Sequence, residues 1–105
     1  MSPPGLPFAV QAWQLSCGEL RPDCILDLRQ PEAFARGHLP GAENLPYERL
    51  QAEALARLPA GALVLLVDPA GARAAEMATW LRARGFGAGY LEGGMAAWTG
   101  PLERS

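Results

Sequence analysis

A short segment between residues 68 and 73 has the residues best suited to hold or carry negative charge. It lies between a strongly apolar run, residues 63–67, and a stretch with helical periodicity. A small, glycine-containing turn that leads into a helix points successive backbone N–H groups and the positive end of the helix dipole at one place. The segment therefore predicts an anion-binding loop, whose members are Asp68, Pro69, Ala70, Gly71, Ala72 and Arg73.

Two residues elsewhere in the chain could add chemistry to that loop. Arg29 follows another apolar run and could bind an anionic ligand, but an ion pair with Asp27 or Glu32 is the favoured interpretation. His38 is the only histidine and could act as a general base. Its position in a turn favours a hydrogen-bonded structural role instead.

Two further residues lie on the helix that is predicted to follow the loop. Arg73 could contact a substrate, or it could pair with Glu76, which is three residues further along the same helix. Trp80 could mark an interface, but stacking on Arg84 is favoured, as is common for an amphipathic tryptophan.

The chain has two cysteines, Cys17 and Cys24, and both are expected to be reduced and unpaired. Cys24 precedes Asp27 by three residues on a predicted strand, which places it about 10 Å from the end of that strand at ~3.3 Å per residue. Either thiol is a poor candidate for chemistry at the loop, because a reactive thiol needs an electropositive niche. No His, Cys or acidic residues have metal-ligand spacing, so neither a metal nor a cofactor is expected.

The elements that must position these residues alternate along the chain. Strands are predicted at 8–10, 24–28, 44–45, 63–67 and 90–91, and helices at 11–20, 31–36, 47–58 and 73–84. A short closing helix is predicted from Gly93-Gly94 through Met95 and Trp98, with Trp98 in the core. Such alternation predicts an α/β fold with a mainly parallel five-stranded sheet and helices on both faces. Ligands bind beyond the carboxyl ends of parallel strands, where Arg29 and the loop both fall.

Composition restricts the class of protein. The 105 residues predict a single domain, 1–105, with a Pro-rich lead at 1–7. Half of the residues are hydrophobic, 19% are charged and the net charge is −2, which makes nucleic acid an unexpected partner. No stretch has the features of a secretory signal or a membrane span, so a cytoplasmic location is expected. The nine basic residues are all arginine, which is typical of GC-rich bacterial coding.

Several motifs occur in a fixed order along the chain. They are Leu26-Asp27-Leu28-Arg29, Glu32-Ala33-Phe34, Gly37-His38-Leu39-Pro40-Gly41-Ala42-Glu43-Asn44-Leu45-Pro46, Arg84-Gly85-Phe86, Gly93-Gly94 and Ala97-Trp98. In these motifs and their spacing the chain resembles the rhodanese-like domain family over residues 8–101. The resemblance implies that family's fold and its sulfur chemistry, in which a loop cysteine accepts a sulfane sulfur as a persulfide and passes it on.

The resemblance also places Asp68 where that cysteine stands, followed by Pro69, which has no N–H. A carboxylate lacks the polarizable sulfur that must both attack and hold a second sulfur. We therefore expect an inactive sulfurtransferase homologue in which the Asp68 carboxylate fills the ring of N–H donors. Such a protein would bind or regulate an unknown protein or a small anion. The alternatives are a sulfurtransferase that uses Cys17 or Cys24, a reaction with Asp68 as base, and phosphorylation of Asp68.

Overall fold

The computed structural model describes residues 5–104 of the chain. Its strands are β1 (Ala9–Val10), β2 (Cys24–Asp27), β3 (Glu43–Asn44), β4 (Val64–Val67) and β5 (Gly89–Leu91). Its α-helices are α1 (Ala12–Ser16), α2 (Pro31–Arg36), α3 (Tyr47–Arg57) and α4 (Ala72–Arg82), and a 3₁₀ helix spans Gly94–Ala97.

The five strands form one sheet in the order β1-β5-β4-β2-β3, and every pair is parallel. The predicted α/β fold with a five-stranded parallel sheet is therefore confirmed. The apolar run that was predicted to be the central strand is β4, and all four of its residues are buried. A strand that is buried on both faces needs apolar side chains at every position, which explains the unbroken run.

Helices cover the two faces of the sheet unequally. On one face α3 and α4, each of 11 residues, bury Leu50 and Leu81 against Leu66 of β4. On the other face the cover is α1, of five residues, and the 3₁₀ helix, of four. The smaller core on that face contains Leu65 and Val67. The second face therefore has much less helical cover than the first.

Several helix boundaries differ from prediction, and the largest differences are at the ends of α1, α4 and the closing helix. Helix α1 ends at Ser16 rather than at residue 20, because Gly18 adopts a positive φ of 79° and turns the chain. Helix α4 ends at Arg82 rather than at residue 84, two residues earlier than predicted. The closing helix is a 3₁₀ helix that stops before Trp98, and Trp98 is half-buried against the smaller core rather than inside it.

The Pro-rich lead is partly packed into the domain. Residues 1–4 lie outside the described residues, but Leu6 is 5% exposed and belongs to the smaller core. The Arg82 guanidinium donates to the Leu6 carbonyl oxygen at 2.7 Å. Within residues 5–104 no helix has the length and apolarity needed to cross a membrane.

Candidate functional site

The Asp68 loop, residues 68–73, follows the central strand β4 at its carboxyl end and leads into α4. Gly71 precedes the first residue of α4 and has φ of 110°, a conformation that L side chains rarely adopt. A Cβ at Gly71 would also lie 3.3 Å from the backbone nitrogen of Gly93. Glycine is therefore required at this point for the chain to turn into the helix.

The Asp68 carboxylate fills the turn. Its Oδ1 accepts a hydrogen bond from the Gly71 N–H, and its Oδ2 accepts from the N–H groups of Arg73 and Ala74 at 3.0 and 3.2 Å. Asp68 is only 3% exposed. The negative charge thus lies against three backbone dipoles at the N-terminus of α4, which is the arrangement expected for this carboxylate.

The loop is braced from the opposite side by the 3₁₀ helix. The Met95 N–H donates to the Asp68 carbonyl at 2.8 Å, and the Ala96 N–H donates to the Pro69 carbonyl at 3.1 Å. Gly94 has φ of 60°, and a Cβ there would collide with the Asp68 carbonyl oxygen. From the sequence, Gly93-Gly94 was predicted to begin a helix, and this contact was not predicted because a glycine pair gives no information about which segment packs against it.

Arg29 makes the ion pair that was favoured for it, with Asp27 and not with Glu32. The Arg29 guanidinium donates to both oxygens of the Asp27 carboxylate, at 2.8 Å from Nη2 to Oδ2 and 3.0 Å from Nε to Oδ1. The two side chains are 13% and 0% exposed. Arg29 Nη2 also donates to the Gly37 carbonyl oxygen at 2.7 Å. Arg29 therefore joins the end of β2 to the turn after α2, and only Nη1 is left for a ligand.

Of the two roles considered for Arg73, pairing with Glu76 is not observed within residues 5–104. The Arg73 guanidinium lies over the ring of Tyr47 instead, 4.7 Å from its centroid. Glu76 accepts a hydrogen bond from the Tyr47 hydroxyl at 2.8 Å, and this bond raises the pKa of Tyr47. The favoured interpretation of Trp80 is confirmed, because the Arg84 guanidinium stacks 3.7 Å from its ring centroid.

A cavity of about 250 Å³ opens beside the Asp68 loop. Its polar lining comes from Arg29, Gln30, Asp68 and Arg73, and its apolar lining comes from Leu28, Ala33 and Pro69. Two of the predicted binding residues, Arg29 and Arg73, are thus brought together around Asp68. The cavity lining therefore carries both signs of charge, from two arginines and one aspartate.

His38 is not part of that cavity. It is 6% exposed, and its Nδ1 lies 2.8 Å from the Phe34 carbonyl oxygen. Its ring stacks on the Phe34 ring with centroids 3.7 Å apart, and its backbone pairs with Glu103. These contacts account for His38 as a structural residue of the turn, the role that the sequence favoured.

The two cysteines are unpaired, as expected, and neither lies at the loop. Cys24 is in register with Val64, the first residue of β4, whereas Asp68 follows Val67 at the other end of that strand. Burial raises the pKa of the Cys24 thiol, and the negative charges of Asp23 and Glu43 raise it further. Cys17 is exposed at the end of α1.

We expect the two thiols to differ in reactivity. A raised pKa keeps the Cys24 thiol protonated at neutral pH, and its partial burial limits access, so iodoacetamide should modify Cys24 roughly tenfold more slowly than Cys17. The difference should narrow as the pH rises toward the pKa of Cys24. Peptide mass spectrometry of timed reactions measures both rates, and faster modification of Cys24 at neutral pH would contradict the assignment.

Comparisons with known proteins agree with the fold. The family model of the rhodanese-like domain matches residues 9–101. A rhodanese-like domain protein from Staphylococcus aureus is 30% identical, with 92% of this chain and 97% of that chain covered and a TM-score of 0.80. A rhodanese-like domain from an Anabaena species is 28% identical, covers 95% of this chain and 81% of its own, and has a TM-score of 0.81. A rhodanese-related protein from Thermoplasma volcanium has a TM-score of 0.82 at 22% identity, with coverage of 92% and 98%. No curated protein matches the chain.

Proposed function

The chain belongs to the rhodanese-like domain family, and we propose that within it this protein is a binding or regulatory module that does not transfer sulfur. Its site is the Asp68 loop with the adjoining cavity, and its partner is a protein or a small anion that contacts Arg29 and Arg73 in the cavity lining. Asp68 stands in place of the family's sulfur-accepting cysteine.

One observation carries this proposal, namely that the Asp68 carboxylate takes up three backbone N–H groups of the turn. In an active member those donors would hold a thiolate and its bound sulfur. Here an oxygen acid occupies them, and an oxygen acid has no polarizable sulfur with which to attack a sulfane sulfur. The anion that the turn binds is thus the protein's own Asp68 carboxylate.

The same contacts weigh against the other roles considered for Asp68. A general base must reach a substrate proton, whereas Asp68 is 3% exposed and both of its oxygens are held by backbone N–H groups. A phosphoryl acceptor would have to leave the same donors before it could attack. Both roles would need the loop to open first.

The second candidate function is sulfur transfer through Cys17 or Cys24. An assay of sulfur transfer from thiosulfate to cyanide distinguishes it from the proposed binding role. We expect the wild-type protein to transfer no sulfur from thiosulfate to cyanide above the rate without protein. The Cys17→Ser and Cys24→Ser variants should give that same background rate. Wild-type transfer that disappears in either serine variant would assign the reaction to that thiol and overturn the proposal.

A further inference from the structure

A second cavity, the α1 groove, lies on the thinly covered face of the sheet. It has a volume of about 340 Å³ and is lined by Leu15, Leu20, Ile25, Leu39 and Trp98, with Arg21 among the few polar residues. None of the residues that form it lines the cavity beside the Asp68 loop.

The groove follows from the unequal cover of the sheet. Leu15, Leu20, Ile25 and Trp98 pack against the smaller core but stay partly exposed. A five-residue helix and a four-residue 3₁₀ helix are too short to seal the face over them. The partly exposed apolar side chains are therefore gathered into one concave surface, and burying that surface under a ligand would be favourable.

Charge at the groove selects the kind of ligand. Arg21 is exposed and lines the groove. Its guanidinium lies beside Gly18, since a Cβ added at Gly18 would be 3.5 Å from Arg21 Nη2. Among residues 5–104, Arg21 has no acidic partner within ion-pair distance. A free guanidinium beside an apolar wall suits a molecule with one apolar part and one anionic group.

The dimensions indicate a small molecule. A volume of about 340 Å³ falls in the range of small-molecule sites, roughly 300–1,000 Å³. A docked helix, with a diameter of about 10 Å, would need a longer and wider channel. A larger cavity, of about 580 Å³, is lined largely by glycine, and its one cation, Arg82, already donates to the carbonyls of Leu6 and Ala88.

We propose that the α1 groove is a binding site for a small aromatic anion, with the ring against Leu20, Ile25 and Trp98 and the acid group on Arg21. This site is separate from the Asp68 loop and does not depend on the function proposed there. Anilinonaphthalene sulfonate is a suitable probe, and phenylnaphthylamine is its uncharged analogue.

We expect saturable binding of the sulfonate at one site per chain, measured by fluorescence titration. Arg21→Gln should weaken sulfonate binding about tenfold and change binding of the uncharged analogue by less than about twofold. Arg57→Gln, which removes an exposed arginine on α3, is the matched control and should change neither. If both arginine variants lose the same affinity for the sulfonate, the loss reflects the change in net charge rather than a contact with Arg21, and the proposal is overturned.

A mapping experiment tests the site without relying on one variant. Backbone amide shifts on titration with the sulfonate should be largest at residues 15–25 and at Trp98, in the wild type and in Asp68→Ala alike. Ser16→Trp, which places a ring at the groove, should weaken binding of both probes. Shifts centred on α3 and α4, or shifts that depend on Asp68, would place the ligand elsewhere and overturn the proposal.

Discussion

Replacing Asp68 with alanine should lower the free energy of unfolding by about 2–3 kcal/mol, because three N–H groups of the loop lose their acceptor. Each buried donor left without a partner costs about 1–3 kcal/mol, but water entering from the adjoining cavity offsets part of that. For a chain of this size the change corresponds to a fall in Tm of about 10 °C or more. Thermal and urea unfolding measure it.

The same variant should bind small anions more tightly than the wild type does. With the carboxylate gone, the N–H groups at the start of α4 are free to hold sulfate or thiosulfate. An anion at a hundred times its Kd for the variant would restore about 2.7 kcal/mol of stability to Asp68→Ala, and the wild type should gain clearly less at the same anion concentration. If both proteins respond equally to sulfate, the carboxylate does not occupy an anion site.

Asp23→Ala is the matched control for this experiment. Asp23 also accepts a backbone hydrogen bond, from the Leu63 N–H at 2.9 Å, but it is exposed and lies at the amino end of β4. We expect a loss of about 1 kcal/mol or less and no recovery with anions. An anion effect in Asp23→Ala would indicate general salt stabilisation rather than a site.

Asp68→Cys should gain sulfur transfer, the largest functional change expected of any single substitution here. The new thiolate would attack the sulfane sulfur of thiosulfate, forming a persulfide and releasing sulfite. Cyanide would then take the sulfur as thiocyanate and regenerate the thiolate. We expect a transfer rate about tenfold or more above the wild-type background. The gain is limited because a missing N–H donor for the developing anion lowers the rate about a hundredfold in such sites.

Pro69 is the reason that the sulfur-transfer rate of Asp68→Cys should stay limited, and replacing it tests this explanation. It has no N–H, so the turn has one donor fewer than its length allows. Adding Pro69→Ala to Asp68→Cys should therefore raise the rate further, whereas Asp68→Ser should stay at background because it has no sulfur. Equal rates for Asp68→Ser and Asp68→Cys would exclude the thiol as the group that makes the difference.

The sequence predicted the sheet and the loop well because both depend on local patterns. The apolar run before Asp68 is too short for a helix and is flanked by Gly61 and Pro69, which favoured a buried strand. A small turn with Gly71 before a helix favoured N–H groups that point at one place. The Asp27 and Arg29 pair was also foreseeable, since residues two apart at a strand end point to the same side.

Contacts between distant segments were the part that sequence could not supply. The 3₁₀ helix that braces the Asp68 carbonyl arrives from more than twenty residues away in the chain. Pairing with its helical neighbour Glu76 was one of two roles considered for Arg73, but Tyr47 from another helix supplies the ring on which it stacks. The α1 groove likewise results from two short helices. Both were predicted to be longer, α1 to continue past Gly18 and the closing helix to include Trp98.

Intact-mass measurement after incubation with thiosulfate tests the central claim most directly, because it detects a covalently held sulfur whatever the acceptor. The wild-type protein should keep its mass, whereas Asp68→Cys should gain one sulfur atom that cyanide removes. A wild-type protein that gains a cyanide-sensitive sulfur, and loses that ability in Cys17→Ser or Cys24→Ser, would contradict the account.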